Sequence, residues 1–197
     1  MTGWTQVSAG SGNTCAVRSD ATLWCWGANG TGQLGVGDTT GRRVPTQVGG
    51  AAWASFDTGP DHICALKTDG TRYCWGANDT GQLGIGDSTA TDRLTPVMVS
   101  SRTSWTRVAM ATGGRHACGQ AAGVRYCWGL GAPGLGVGDL ATRTTPSAVF
   151  DGPWTGLSAG FGHTCGIRNT HLYCWGEGPA LGLDTDDDAV TPALIAA

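Results

Sequence analysis

The chain has 197 residues, 34 of them glycine, and a formal net charge of −3 carried by 14% charged residues, with eleven arginines and a single lysine. Length alone allows one domain that buries roughly 70% of the surface its unfolded chain exposes. The charges are interspersed, so no basic run tracks a phosphate backbone and nucleic acid is not favoured, and no apolar run is long enough to span a bilayer.

High glycine with little Lys or Glu suits short strands and tight turns, and no window repeats apolar residues at helical spacing. Trp4 already belongs to the first copy of a repeat, so no signal peptide is expected ahead of the domain. Either the chain is cytosolic, or a leader has been removed and Met1 is a start supplied for expression. Trp4, Trp53, Trp105 and Trp154 open four copies spaced 49, 52 and 49 residues apart. The copies run approximately over residues 4–52, 53–104, 105–153 and 154–197 of a single domain. Within them CAVRSDATLWCWGANGTGQLGVGD (from Cys15) returns as CALKTDGTRYCWGANDTGQLGIGD (from Cys64), CGQAAGVRYCWGLGAPGLGVGD (from Cys118) and CGIRNTHLYCWGEGPALGLDT (from Cys165). Pro45, Pro96, Pro146 and Pro192 close the copies with a short apolar stretch. Each copy therefore reads as about four short strands with glycine-rich turns, the content of one blade of a β-propeller.

Register counting tests that reading. Thr68-Asp69-Gly70 makes a three-residue loop that pairs Lys67 with Thr71 and, three pairs out, Cys64 with Cys74; Ser19-Asp20-Ala21 sets Cys15 opposite Cys25 in the same way. Two-residue loops at Ala122-Gly123 and Asn169-Thr170 place Cys118 opposite Cys127 and Cys165 opposite Cys174. Every pair falls on a non-hydrogen-bonded site, where Cα atoms are ~4.5 Å apart, near the short end of what a disulfide accepts. Four cross-strand disulfides are expected, each worth about 2 kcal/mol because it closes a short loop. The alternatives are reduced buried thiols, or zinc with ligands borrowed from another copy. Bridged cysteines place the protein outside the cell or in a periplasm, and reduced ones in the cytoplasm.

On the opposite strand face Ala16, Ala65, Gly119 and Gly166 oppose Trp24, Tyr73, Tyr126 and Tyr173, and with Trp26, Trp75, Trp128 and Trp175 these rings read as an inter-blade core. Asn13, His62, His116 and His163 recur two residues before the first Cys of each copy. A position shared by all copies is expected to be structural, a hydrogen bond to neighbouring backbone, since equivalent positions lie a blade width apart. His171 is expected to be exposed beside the last hairpin turn. The Asp of the G-x-G-D turn (Asp38, Asp87, Asp139) suits an Asx-turn. The fourth copy breaks that rule, and Asp184, Asp186, Asp187 and Asp188 are weighed as calcium ligands against a solvated acidic turn. No catalytic triad, phosphate loop or isolated carboxylate pair emerges, so no catalytic residue, cofactor or other metal site is assigned, and catalysis is not favoured. Function is expected where copies disagree, in the connectors around the closing proline, and the partner-binding candidates there are Arg42, Arg43, Asp92, Arg93 and Arg102.

The pattern W-x-x-V-x-A-G, then H-T-C-A-L, D-G, C-W-G-x-N, G-Q-L-G-x-G-D and P-x-x-V, strongest over Phe56 to Asp87, resembles the repeat of the regulator of chromosome condensation family in its cysteine-bearing bacterial form. The resemblance implies a β-propeller of four-stranded antiparallel blades, typically a closed ring of seven, whose members are binding platforms. Eukaryotic members include a nucleotide exchange factor for a small GTPase that also binds chromatin, and a similar bacterial propeller inhibits β-lactamases; their contact residues cannot be matched to positions in this chain. Four repeats would leave blade faces uncovered, which points to a longer chain, tight closure of four blades, or a homodimer. The reading is a non-catalytic, secreted propeller that binds a protein partner. An enzyme or hydrolase inhibitor using rim loops is the first alternative, and a structural or engineered propeller fragment the second.

Overall fold

The computed structural model describes residues 2–50, 52–87, 89, 91–99, 105–110, 115–131, 133–149 and 154–195. Four antiparallel sheets follow one another along the chain. Blade 1 holds β1 (Trp4–Ala9), β2 (Asn13–Arg18), β3 (Leu23–Gly27) and β4 (Arg42–Gln47). Blade 2 holds β5 (Trp53–Thr58), β6 (His62–Lys67), β7 (Arg72–Gly76) and β8 (Arg93–Met98), and blade 3 holds β9 (Trp105–Met110), β10 (His116–Ala121), β11 (Val124–Gly129) and β12 (Arg143–Ala148). Blade 4 holds β13 (Trp154–Ala159), β14 (His163–Arg168), β15 (His171–Gly176) and β16 (Ala189–Leu194). Each sheet is a meander in sequence order, and the first strands β1, β5, β9 and β13 pack on one another in succession, so they lie innermost. Single 3-10 turns at Pro133–Leu135 and Gly178–Ala180 replace the Gln-containing turns of the first two copies.

The hairpins have the register that the loop lengths require. Cys15 opposes Cys25, Cys64 opposes Cys74, Cys118 opposes Cys127 and Cys165 opposes Cys174. All four pairs are disulfides with Cα atoms 4.1 Å apart, and no described cysteine is free. The nine-residue and eight-residue spacings are absorbed by different turns. Ala122 and Gly123 (φ 50° and 77°) and Asn169 and Thr170 (φ 47° and 67°) have both central residues left-handed, as a two-residue hairpin turn demands. Gly70 (φ 79°) fills the left-handed position of the three-residue loop, where blade 1 carries Ala21 (φ 60°).

Blades are joined by a latch that the repeat writes three times. The Trp after the second Cys reaches back over the preceding blade's turn: Trp75 Nε1 donates to Gln33 O (3.0 Å), Trp128 Nε1 to Gln82 O (2.9 Å) and Trp175 Nε1 to Gly134 O (2.9 Å). A glycine lies under each indole. A Cβ on Gly35 would stand 2.6 Å from Trp75 Nε1, one on Gly84 2.5 Å from Trp128 Cδ1, and Gly136 meets Trp175 in the same way. Backbone bonds lock the next turn along, from Gly37 N to Leu94 O (2.9 Å), Gly86 N to Thr144 O (2.8 Å) and Gly138 N to Val190 O (2.9 Å). Beside each latch a long side chain from the preceding blade fills the gap. Leu23 does so against blade 2, whereas the Arg72 guanidinium lies 4.0 and 3.8 Å from the Trp105 and Trp128 ring centres, and that of Arg125 lies 3.7 and 3.9 Å from those of Trp154 and Trp175.

Two outcomes are expected. Intact mass and alkylation under non-reducing conditions should find no reactive thiol, and replacing any one bridged pair by serine should lower unfolding stability by about 2 kcal/mol. Gly84→Ala meets both a left-handed backbone and the Trp128 ring, so denaturant unfolding should show a loss of about 2–4 kcal/mol.

Candidate functional site: the axial cavity

Because the first strands are innermost, the turns that join them to the second strands converge at one end of the arc. They enclose a cavity of about 630 Å3, lined by Ser11, Pro60, Asp61 and Phe161 from those turns and by Ala77, Asp79, Leu130 and Glu177 from the stretch after the third strands. Thr31, Gln82, Asp92, Arg115, His62 and His116 complete its polar wall. Repeat alignment shows what kind of positions these are. Gly12, Asp61, Arg115 and Gly162 are equivalent, as are Ala28, Ala77, Leu130 and Glu177. The scaffold is shared, and the lining differs from copy to copy.

Charge on this wall is unbalanced. Among the described residues Asp61, Asp79, Asp92 and Glu177 face a single guanidinium, that of Arg115, which pairs with Asp79 across blades 2 and 3 (2.6 Å) with both partners about half exposed. Asp92 accepts a bond from Asn78 N (3.1 Å), and Asp61 O accepts one from Thr31 Oγ1 (3.0 Å).

His62 and His116 lie on this wall. His116 acts electrostatically on His62, and His163 on His116. Thr164 Oγ1 donates its one proton to Gly134 O (2.9 Å), so His116 must donate through Nε2 to reach Thr164 Oγ1 (3.1 Å). That contact is an inter-blade bond to a side chain rather than to backbone. His62 is 1% exposed, and its Nε2 has no partner among the described residues. Burial pushes the His62 imidazole down to about 3 and that of His116 to about 4, so both are neutral.

The connector candidates divide. Arg42 pairs with Asp38 (2.6 Å) and Arg93 with Asp87, and Arg143 and Asp139 repeat the pair in blade 3 (2.7 Å). Asp38, Asp87 and Asp139 also accept the turn amides of Thr40 (2.8 Å), Thr89 (2.8 Å) and Ala141 (2.9 Å), as an Asx-turn requires. Arg42 and Arg93 are thus tied into a repeated turn, Asp92 lies on the cavity wall, Arg43 is exposed on β4, and Arg102 lies outside the described residues. Asp184, Asp186, Asp187 and Asp188 are all exposed, and Asp188 accepts a bond from Gly178 N (3.0 Å). Among the described residues no three His, Cys, Asp or Glu side chains gather as a metal site, and His171 is exposed at the last turn.

Four meandering sheets latched blade to blade around a lined axis define a β-propeller built of sequence repeats. The Regulator of chromosome condensation (RCC1) repeat matches residues 4–33 and 53–82 in one family model and 20–66 and 69–119 in another. The chain belongs to the RCC1 repeat family. No curated protein sequence matches it significantly. Among solved structures it is similar to human WBSCR16 (TM-score 0.88, 20% identity, covering 100% of this chain and 54% of that one). It is also similar to yeast RCC1 (Prp20) solved bound to Kap60 (TM-score 0.85, 22% identity, 98% and 49%), a protein also described by its binding properties to Gsp1p and histones. The ectodomain of the receptor kinase CR4 of Physcomitrella patens is a more distant neighbour (TM-score 0.54, 25% identity, 90% and 42%). The chain spans about half the length of these neighbours.

The neutral histidines give the fold a pH dependence of defined sign. Below about pH 6.5 the unfolded chain binds protons that folded His62 and His116 refuse until about pH 3 and 4. Their stability contribution is therefore complete above pH 6.5 and is lost as pH falls. Unfolding stability should drop by about 2 kcal/mol per histidine between pH 6.5 and 5. A His62→Asn/His116→Asn variant, carrying the residue that blade 1 has at Asn13, should flatten that slope in thermal melts across pH.

Proposed function

We propose that the chain is a non-catalytic protein-binding propeller of an oxidising, extracellular or periplasmic compartment, and that its partner inserts a basic segment at the axial mouth. The observation that carries this reading is the lining: among the described residues, four carboxylates against one guanidinium, at positions where the repeats differ while the scaffold around them is constant. A Lys or Arg side chain entering there gains attraction that water screens less than on an open surface. Four disulfides in one chain support the compartment, since glutathione and thioredoxin keep cytosolic thiols reduced. The ectodomain neighbour supports it too, and the yeast relative's binding of Kap60, Gsp1p and histones supports protein partners.

A second reading, an enzyme or hydrolase inhibitor using the same mouth, is favoured by the same feature, a cavity with mismatched polar residues from several copies. The two separate on the character of the ligand. Fluorescence anisotropy with labelled Lys/Arg-rich and Asp/Glu-rich peptide pools should show binding of the basic pool alone, weakening with added salt. Asp61→Asn/Glu177→Gln should weaken it about tenfold or more, as loss of about 1.4 kcal/mol implies. Equal binding of both pools, or an unchanged affinity in the double variant, rules out the basic-segment reading.

A further inference from the structure

The three junctions between blades are built from the same parts, and the first and last blades each carry one half of a fourth. On blade 1, Trp4, Val7, Trp24 and Trp26 stand where Trp53, Phe56, Tyr73 and Trp75 stand on blade 2. Trp53 and Phe56 are each 3% exposed under blade 1, whereas Trp4 is 38% and Val7 68% exposed. Trp26 is half-buried, and among the described residues no turn of a preceding blade meets its indole.

Blade 4 carries the other half. Gly182 (φ 72°) is the equivalent of Gly84 (φ 68°), but a Cβ there would meet only Ile195 Cγ2 at 3.8 Å, where Gly84 meets the Trp128 ring. The indole slot is formed and open. Leu172, the counterpart of fully buried Leu23, is 44% exposed, and Ile167, the counterpart of Val17, is 42% exposed against 4%. Asp184 replaces Gly37, Gly86 and Gly138 and keeps their left-handed backbone (φ 52°), the conformation in which those glycines give an N–H to the next blade. The carbonyl it would meet is that of Arg43, counterpart of Leu94, Thr144 and Val190, and the exposed carboxylate and guanidinium of this pair have opposite charge. Among the described residues no strand of blade 4 packs on a strand of blade 1 to the extent that neighbouring blades do.

We propose that a second copy of the chain covers both faces, blade 4 of one copy on blade 1 of the other, so that two chains close a ring of eight blades. Eight is within the range propellers adopt. The contact is head-to-tail: aromatic face against aromatic face would leave the Trp26 indole without a glycine slot, whereas blade 4 on blade 1 reproduces the interior junction part for part. The inference stands independently of the partner at the axial mouth.

Light scattering on a sizing column should give twice the 20.1 kDa chain mass. Val7→Asp charges the blade 1 face and Leu172→Asp the blade 4 face, both at exposed positions, so each variant should keep its circular dichroism and closed disulfides. Each should be monomeric where the parent is dimeric. Mixed together they should shift back toward dimer, because blade 4 of the Val7→Asp chain and blade 1 of the Leu172→Asp chain form one intact junction. The proposal is overturned if the parent elutes at the chain mass at every concentration, if its dimer survives either substitution, if the mixture stays monomeric, or if a ladder of larger species replaces the dimer.

Discussion

Order between blades depends on a contact of one ring with one glycine. Each latch indole hydrogen-bonds a carbonyl of the preceding blade, which it can do only because the residue beneath it has no Cβ. A fully buried Trp otherwise leaves its N–H unpaired, at a cost of about 1–3 kcal/mol. The latch satisfies that donor and fixes where the next sheet sits. Disulfides hold each blade as a unit, but they bridge strands within a blade and say nothing about blade order. Within-blade and between-blade order therefore rest on different chemistry.

The arginines beside the latch show how much the aromatic layer can carry. Arg72 is fully buried, and its three guanidinium nitrogens have no hydrogen-bonding partner among the described residues. Burial pushes both guanidinium groups down, that of Arg125 to about 9, which leaves Arg125 charged at neutral pH. What faces the charge is two indole rings under 4.1 Å from its centre, and a desolvated cation over an indole gains about 2 kcal/mol or more. Leu23 occupies the same place at the first junction. A branched aliphatic side chain and a planar cation thus fill the same gap beside the latch.

Much of this was legible in the sequence, and the boundary is physical. Cys64 opposite Cys74 follows from counting outward from Thr68-Asp69-Gly70, because hairpin register is local. The packing of Tyr73 and Tyr126 follows from their small partners Ala65 and Gly119 on the other face, which Trp75 and Trp128 share. The cavity did not emerge, since its wall brings together segments of different blades, such as Asp79 and Arg115, 36 positions apart, that no local pattern joins. Arg42 and Arg93 vary in their surroundings along the chain, yet each closes a turn on its own blade's Asp. The matching Arg143 and Asp139 were the available signal.

Differences among the copies fall into two physical kinds, and separating them sharpens the search for function. At Asp61, Arg115, Glu177 and Leu130 the side chains change while the backbone around them repeats, and all four reach the same cavity. At Asp184 and Arg43 the change comes where, among the described residues, blade 4 and blade 1 do not pack as neighbouring blades do, so the contact that holds glycine in the other copies is not made there. A glycine in a latch or turn is retained because another blade lies against it, and a carboxylate in the same left-handed conformation must be tolerated by whatever lies there instead. The first kind of difference lies on the axial cavity and the second on the facing sides of blades 4 and 1, and the repeat itself, by its constancy elsewhere, tells them apart.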